Sequence, residues 1–240
     1  MSQDDDADED AASTTGDTPG AGFRPPVPQS LEIPGPAGPL EARLEDPVPE
    51  GEPHPVVGVL CHPHPLHGGT MQNKVVHTAA RAMQEAGAVT VRFNFRGVGR
   101  SGGHYDEGRG EVDDALAVVE WLRGRYGADT LWLAGFSFGA AVALQAAVSA
   151  ARPQRLVTIA PPVGRIIKTP IAHPRCEWLI VQGDRDDLVD VAAVREWAAG
   201  YDPLPELLVV PDAEHFFHGK LTELRSGVRT WLGGRGPVAG

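Results

Sequence analysis

Apolar positions in this 240-residue chain follow two different spacings, and the alternation between them outlines the fold. From Leu31, "LEI" and "LEARLE" alternate apolar and polar positions. This is the period of short half-buried strands, with "PGPAGP" as the turn between them. "VVGVLC" is a continuous apolar run, as in a strand covered on both faces. Val75, Val76, Ala79, Ala80 and Met83 then recur at helical spacing, and Gly87 stops that helix. The same change repeats down the chain. "AVTVRFNF" is a strand, and Val112, Ala115, Leu116, Val119 and Leu122 form a helical stripe. "LWLAGF" is a strand, Ala140 to Ala150 a helix, and "RLVTIA" and "EWLIVQG" are strands. Val191 to Ala199 is a helix, "ELLVV" a strand, and Leu221, Leu224, Val228 and Trp231 mark a last amphipathic helix. The pattern predicts an α/β fold: a mostly parallel sheet, helices on both faces and an antiparallel N-terminal edge.

Residues 1–28 do not share this patterning. They are rich in acids, Pro, Gly and Ser, and are expected to form a disordered acidic tail. The domain is expected over 29–233, with a flexible end at 234–240. The net charge is −11, but seven acids and no base fall within residues 1–22, leaving about −4 for the rest. Without Lys/Arg runs there is no electrostatic footprint for nucleic acid or an anionic membrane. The N-terminus is acidic where a secretory signal would be basic, and no apolar stretch approaches a membrane span. Cys61 and Cys176 are too few for a disulfide framework and, each at or near an apolar run, read as buried free thiols. A cytoplasmic location is expected; no oligomeric state is implied.

In open α/β sheets ligands gather beyond the carboxyl ends of the strands. "CHPHPLHGG", "FRGVGRSGG", "GFSFG", "GDRDDLVD" and "PDAEHFFHG" all follow strands and should meet there. In "GFSFG" one hydroxyl stands between two glycines where a strand becomes a small-residue helix. That is the context of a nucleophile elbow. A serine needs a base, and the base an orienting acid, here expected in the order Ser, acid, His along the chain. Asp184, Asp186, Asp187 and Asp190 compete for the acid. Asp190 is placed to cap the helix at Val191, Asp184 and Asp187 read as solvated turn residues, and Asp186 is preferred. His215 lies in the loop after the last strand and is preferred over His218, read as opening the last helix. One oxyanion donor would be the N–H of Phe138. Pro63 and Pro65 have none, so the second falls to His64 or Leu66, with His64 favoured.

Two other readings are weaker. His62, His64 and His67 could suggest a zinc site, but local hydrogen bonding along a pocket is the better reading, so no metal is expected. Gly97, Gly99 and Gly102 follow a dinucleotide fingerprint only loosely; Arg96 is expected to brace the loops instead.

Taken together, "CHPHPLHGGTMQNKVVHTAARAMQEAG", "VRFNFRGVGRSGG", "GFSFGA", "APPVGR", "VQGDRDDLV" and "EHFFHG" resemble the α/β-hydrolase superfamily, in particular its small branch related to dienelactone hydrolase. The resemblance covers roughly residues 30–232. It implies Ser137 as nucleophile, Asp186 as acid, His215 as base, and Phe138 with His64 at the oxyanion hole. No cofactor is implied. The chain departs from dienelactone hydrolase in carrying Ser137 where that enzyme has cysteine, and it has Asp190 where similar enzymes often have proline. Only about fifteen residues, "PPVGRIIKTPIAHPR", follow "RLVTIA" where such enzymes commonly insert a cap, so no large cap is expected. The expected activity is hydrolysis of small, accessible carboxylic esters through an acyl-enzyme. A silent binding protein of the same fold is the alternative, as are a thioesterase, peptidase or acyltransferase using the same residues.

Overall fold

A computed structural model describes residues 26–47 and 56–234. Most of the expected acidic tail, and all but the first residue of the end expected to be flexible at 234–240, lie outside the described residues. Eight strands form one sheet: β1 (Gln29–Gly35), β2 (Gly38–Glu45), β3 (Val56–Cys61), β4 (Val89–Phe93), β5 (Thr130–Phe136), β6 (Arg155–Ile159), β7 (Glu177–Gly183) and β8 (Glu206–Val210). Their order is β1-β2-β4-β3-β5-β6-β7-β8. β1 and β2 are the antiparallel edge, and all strands from β4 through β3 to β8 pair in parallel.

The helices are α1 (Lys74–Glu85), α2 (Arg109–Tyr126), α3 (Phe138–Ala146), α4 (Val191–Ala199) and α5 (Leu221–Leu232). They divide between the two faces. Leu131 and Leu133 of β5 join a core with residues of α2 and α3. Trp132, Ala134 and Phe136 join the opposite core, with Val75 and Met83 of α1 and Leu224 and Val228 of α5. A period of two in a strand that is buried from Leu131 onward therefore feeds two separate cores.

Three local readings are corrected. The hairpin is tighter than "PGPAGP" suggests: Pro34 pairs with Pro39 and Gly35 with Gly38, leaving Pro36 and Ala37 as the turn. An edge ladder tolerates these prolines because they need not donate on the outer side. The helix read as Ala140–Ala150 begins at Phe138 and ends at Ala146, and a wider π-type turn covers Ala147–Ala151. The last helix begins at Leu221, so His218 stands before it, in a turn. Of the two cysteines expected to be buried, Cys61 is buried and Cys176 only half-buried. Among the described residues no helix is long and apolar enough to cross a membrane.

Between the antiparallel edge and α1 lies a buried ion pair. Arg92 on β4 reaches Glu45 on β2 through Nη2–Oε1 (2.9 Å) and Nε–Oε2 (3.1 Å), and its Nη1 donates to the Met71 carbonyl at 2.8 Å. Gln84 donates to the same Glu45 oxygen at 3.1 Å and to Thr90 at 2.8 Å. Removing one member leaves a buried charge without its partner. Arg92→Met is expected to lower stability by about 3 kcal/mol or more, read as a fall in the urea midpoint at unchanged slope.

Candidate active site

The turn from β5 into α3 is set by close contact. A Cβ on Gly139 would lie 2.3 Å from the Cys61 carbonyl oxygen and 2.5 Å from that of His62, and one on Gly135 would lie 2.0 Å from the Gly139 oxygen. Only hydrogen fits at either position, so strand and helix approach closely on both sides of Ser137. Ser137 itself has φ 53° and ψ −119°, a region that L-residues avoid. Its N–H donates to the Ile159 carbonyl at 2.9 Å and its carbonyl accepts from Ala140 N–H at 2.8 Å, which hold the turn in place. Within an otherwise buried run Ser137 is only half-buried, and so reaches solvent.

Two later loops bring an imidazole and a carboxylate to it. His215 Nε2 lies 3.0 Å from Ser137 Oγ, and its Nδ1 lies 2.8 Å from Asp186 Oδ2. The Asp186 side chain is fully shielded and that of His215 is 4% exposed. With an ionised carboxylate at Nδ1, that nitrogen carries the proton, and Nε2 offers its lone pair to the serine hydroxyl. Burial opposes the charge on Asp186. The hydrogen bond and charge of His215, with the N–H groups of Val189 and Leu188, outweigh it and hold the carboxyl below its usual range. Those N–H groups donate to Oδ1 at 2.9 and 2.8 Å, and Gln182 Nε2 donates to Oδ2 at 2.9 Å.

The other acids have other partners. Asp190 caps α4, accepting from Ala192 N–H at 2.9 Å. Asp184 is exposed but does more than a solvated turn residue: it accepts from Asp212 N–H at 2.7 Å, tying the two loops together. Asp187 is exposed. His218 is 73% exposed at its side chain and pairs with Glu214 at 2.7 Å, away from Ser137. Glu214 also accepts from the N–H groups of Phe216 and His218, at 3.2 and 2.7 Å, bracing the loop that carries His215.

Phe138 opens α3, so its N–H has no partner within the helix. In the loop after β3, Leu66 N–H is taken by His64 Nδ1 at 3.2 Å, whereas the N–H of His64 has no acceptor among the described residues. The His64 and Phe138 rings lie 5.0 Å apart. With Nδ1 accepting, His64 carries its proton on Nε2 and donates to the Tyr105 hydroxyl at 3.3 Å. His67 stacks on His64 at 4.4 Å.

His62 is a different kind of residue. It is fully buried; its Nδ1 donates to the Pro63 carbonyl at 2.6 Å and its Nε2 accepts from Phe95 N–H at 3.0 Å. Desolvation pushes its pKa down to about 4, against the pull of the Pro63 carbonyl, so it is a neutral pin between the loops after β3 and β4. Both nitrogens are committed inside the protein, which leaves none for a cation. Among the described residues no group of three His, Cys, Asp or Glu side chains could hold a metal. Arg96 braces the next loop as expected, with Nη2 2.8 Å from the buried Asp114 on α2. Sequence reasoning missed Tyr105 and Gln182. The signal for Gln182 was present: it is the single polar residue in the buried part of "EWLIVQG".

A model of the alpha/beta hydrolase fold matches residues 66–177. An α/β serine hydrolase without a lid from Xanthomonas campestris is 47% identical, with a TM-score of 0.79 over 87% of this chain and 97% of that one. The chain belongs to the α/β-hydrolase family. An α-β serine hydrolase homologue from Coxiella burnetii is 44% identical, with a TM-score of 0.79 over 85% of this chain and 97% of that one. An uncharacterized protein of Rickettsia prowazekii (strain Madrid E) is 33% identical over 207 residues, 82% of this chain and 86% of its own length. This hydrolase shares the lidless build. Residues 160–176, between β6 and β7, form turns and one isolated bridge, Val163 with Ile167, and contain no helix.

Two outcomes follow. Ser137→Gly relieves the positive φ and Ser137→Ala does not, so the glycine variant is expected to be more stable than the alanine one by about 1 kcal/mol in urea denaturation. The folded-state pKa of His62 lies below its unfolded value of 6.5, so the stability it contributes is complete above pH 6.5 and is lost as pH falls toward 4. His62→Gln is expected to flatten the slope of unfolding free energy against pH in that window by about one proton.

Proposed function

We propose that this hydrolase cleaves carboxylic esters with small or accessible acyl groups through an acyl-enzyme on Ser137. The observation that carries the reading is the continuous chain from Ser137 Oγ to His215 Nε2 (3.0 Å) and from His215 Nδ1 to Asp186 (2.8 Å), starting at a half-buried hydroxyl. His215 takes the Ser137 proton as Oγ bonds to the ester carbonyl carbon. Asp186 keeps the imidazole in the right tautomer and steadies the imidazolium that forms. The charge on the former carbonyl oxygen falls to the N–H groups of Phe138 and His64; Leu66 N–H is already engaged. His215 returns the proton to the departing alcohol. Water then enters, gives a proton to His215 and releases the acid from Ser137, which recovers its proton. The open β6–β7 connection supports accessible substrates.

The test is labelling by a fluorophosphonate probe and turnover of p-nitrophenyl acetate. Wild type is expected to label and turn over. Ser137→Ala is expected to do neither, with turnover down on the order of 10⁴-fold or more, and His215→Ala to fall comparably. Full ester turnover in folded Ser137→Ala would overturn the reading.

A further inference from the structure

Gln182 sits on β7 with no exposed surface, among side chains that are otherwise apolar. Its Nε2 donates to Asp186 Oδ2 at 2.9 Å and to the Val189 carbonyl at 3.1 Å, with the Gly183 carbonyl a longer 3.5 Å away. Val189 N–H in turn donates to Asp186 Oδ1 at 2.9 Å. The three residues therefore close a ring: amide to carboxylate, carboxylate to backbone N–H, and the carbonyl of that residue back to the amide. The orientation of the amide follows from chemistry. Reversed, its oxygen would face the Asp186 carboxylate and the Val189 carbonyl, three acceptors with no proton among them.

The same orientation leaves Gln182 Oε1 without a hydrogen-bond partner among the described residues. A buried carbonyl in that state costs stability, and the two hydrogen bonds made by Nε2 stand against that cost. What the amide adds is a second proton donor on Oδ2, the oxygen that already accepts from His215 Nδ1.

We infer that Gln182 is a positioning residue for the reaction at Ser137: it fixes the Asp186 carboxylate and, by sharing Oδ2, limits how strongly that carboxylate binds the His215 imidazolium. The inference rests on the proposed roles of Ser137, His215 and Asp186. A donor on Oδ2 withdraws electron density from the oxygen that faces His215. Without it the carboxylate holds the charged imidazole more tightly, and the proton leaves His215 at higher pH. Catalysis needs His215 neutral at the start and willing to give its proton to the leaving group, so the shared donor matters to both halves.

The experiment titrates the His215 imidazole by NMR in the full chain without substrate, in wild type, Gln182→Met and Gln182→Leu. Both variants remove the donor with different side-chain shapes. The titration midpoint is expected to rise by about half a pH unit or more in each. The acidic limb of kcat/KM for p-nitrophenyl acetate should move by the same amount. In wild type alone, the Gln182 side-chain amide protons are expected to shift with the His215 midpoint, which decides the matter even where a variant fails to fold. Coincident midpoints in folded, active proteins, or wild-type Gln182 amide protons indifferent to His215, overturn this inference and leave the esterase reading standing. A folded wild type that neither labels with fluorophosphonate nor hydrolyses the ester overturns that reading, and this one with it.

Discussion

The contact between Gly139 and the carbonyls of Cys61 and His62 is the constraint on which the rest of the site depends. It lets the first turn of α3 lie against the end of β3, and so sets the Phe138 N–H beside the loop that carries His64. It also forces the chain through a positive φ at Ser137, where hydrogen bonds to Ile159 and Ala140 hold the turn. A turn made this way is costly on its own and persists because packing on both sides over-determines it. The hydroxyl is thereby left on the outside of a buried run.

Two histidines near the same edge of the sheet show how environment divides one side chain between structure and chemistry. His62 has a partner on each nitrogen and no exposure, so its protonation is suppressed and it serves as a neutral link between loops. His215 is nearly as buried, yet its partners are a carboxylate and a hydroxyl, groups that can follow a proton as it moves. Burial shields both rings. What differs is whether a neighbour can answer a change in charge.

The division between legible and illegible follows from range. Strands and helices were readable because β3 to β7 are covered on both faces and α1 and α5 on one, so period and run length survive in the sequence. Ser137, Asp186 and His215 were reachable through chain order and strand ends, and the prolines at 63 and 65 narrowed the donors in the loop after β3. Other features depend on register. That Gln182 meets Asp186 and Val189, that Tyr105 meets His64, and that Asp184 bonds to Asp212 across two loops are outcomes of folding, and no local pattern encodes them. His218 was placed one turn wrong because "HFFHG" keeps its apolar residues up to the glycine, while the left-handed conformations at Phe217 and Gly219 delay the helix to Leu221.

The bare connection between β6 and β7 has a kinetic consequence. Enzymes of this fold that carry a mobile roof must open and close it with each cycle, and that motion can govern their rate and screen their substrates. With no helix in residues 160–176, no such roof is built from this connection. On the proposed reading, substrate and products pass no roof built from residues 160–176 on their way to and from Ser137. Selection among substrates would then fall less on that connection than on how well the dipoles and side chains around Ser137 fit the transition state.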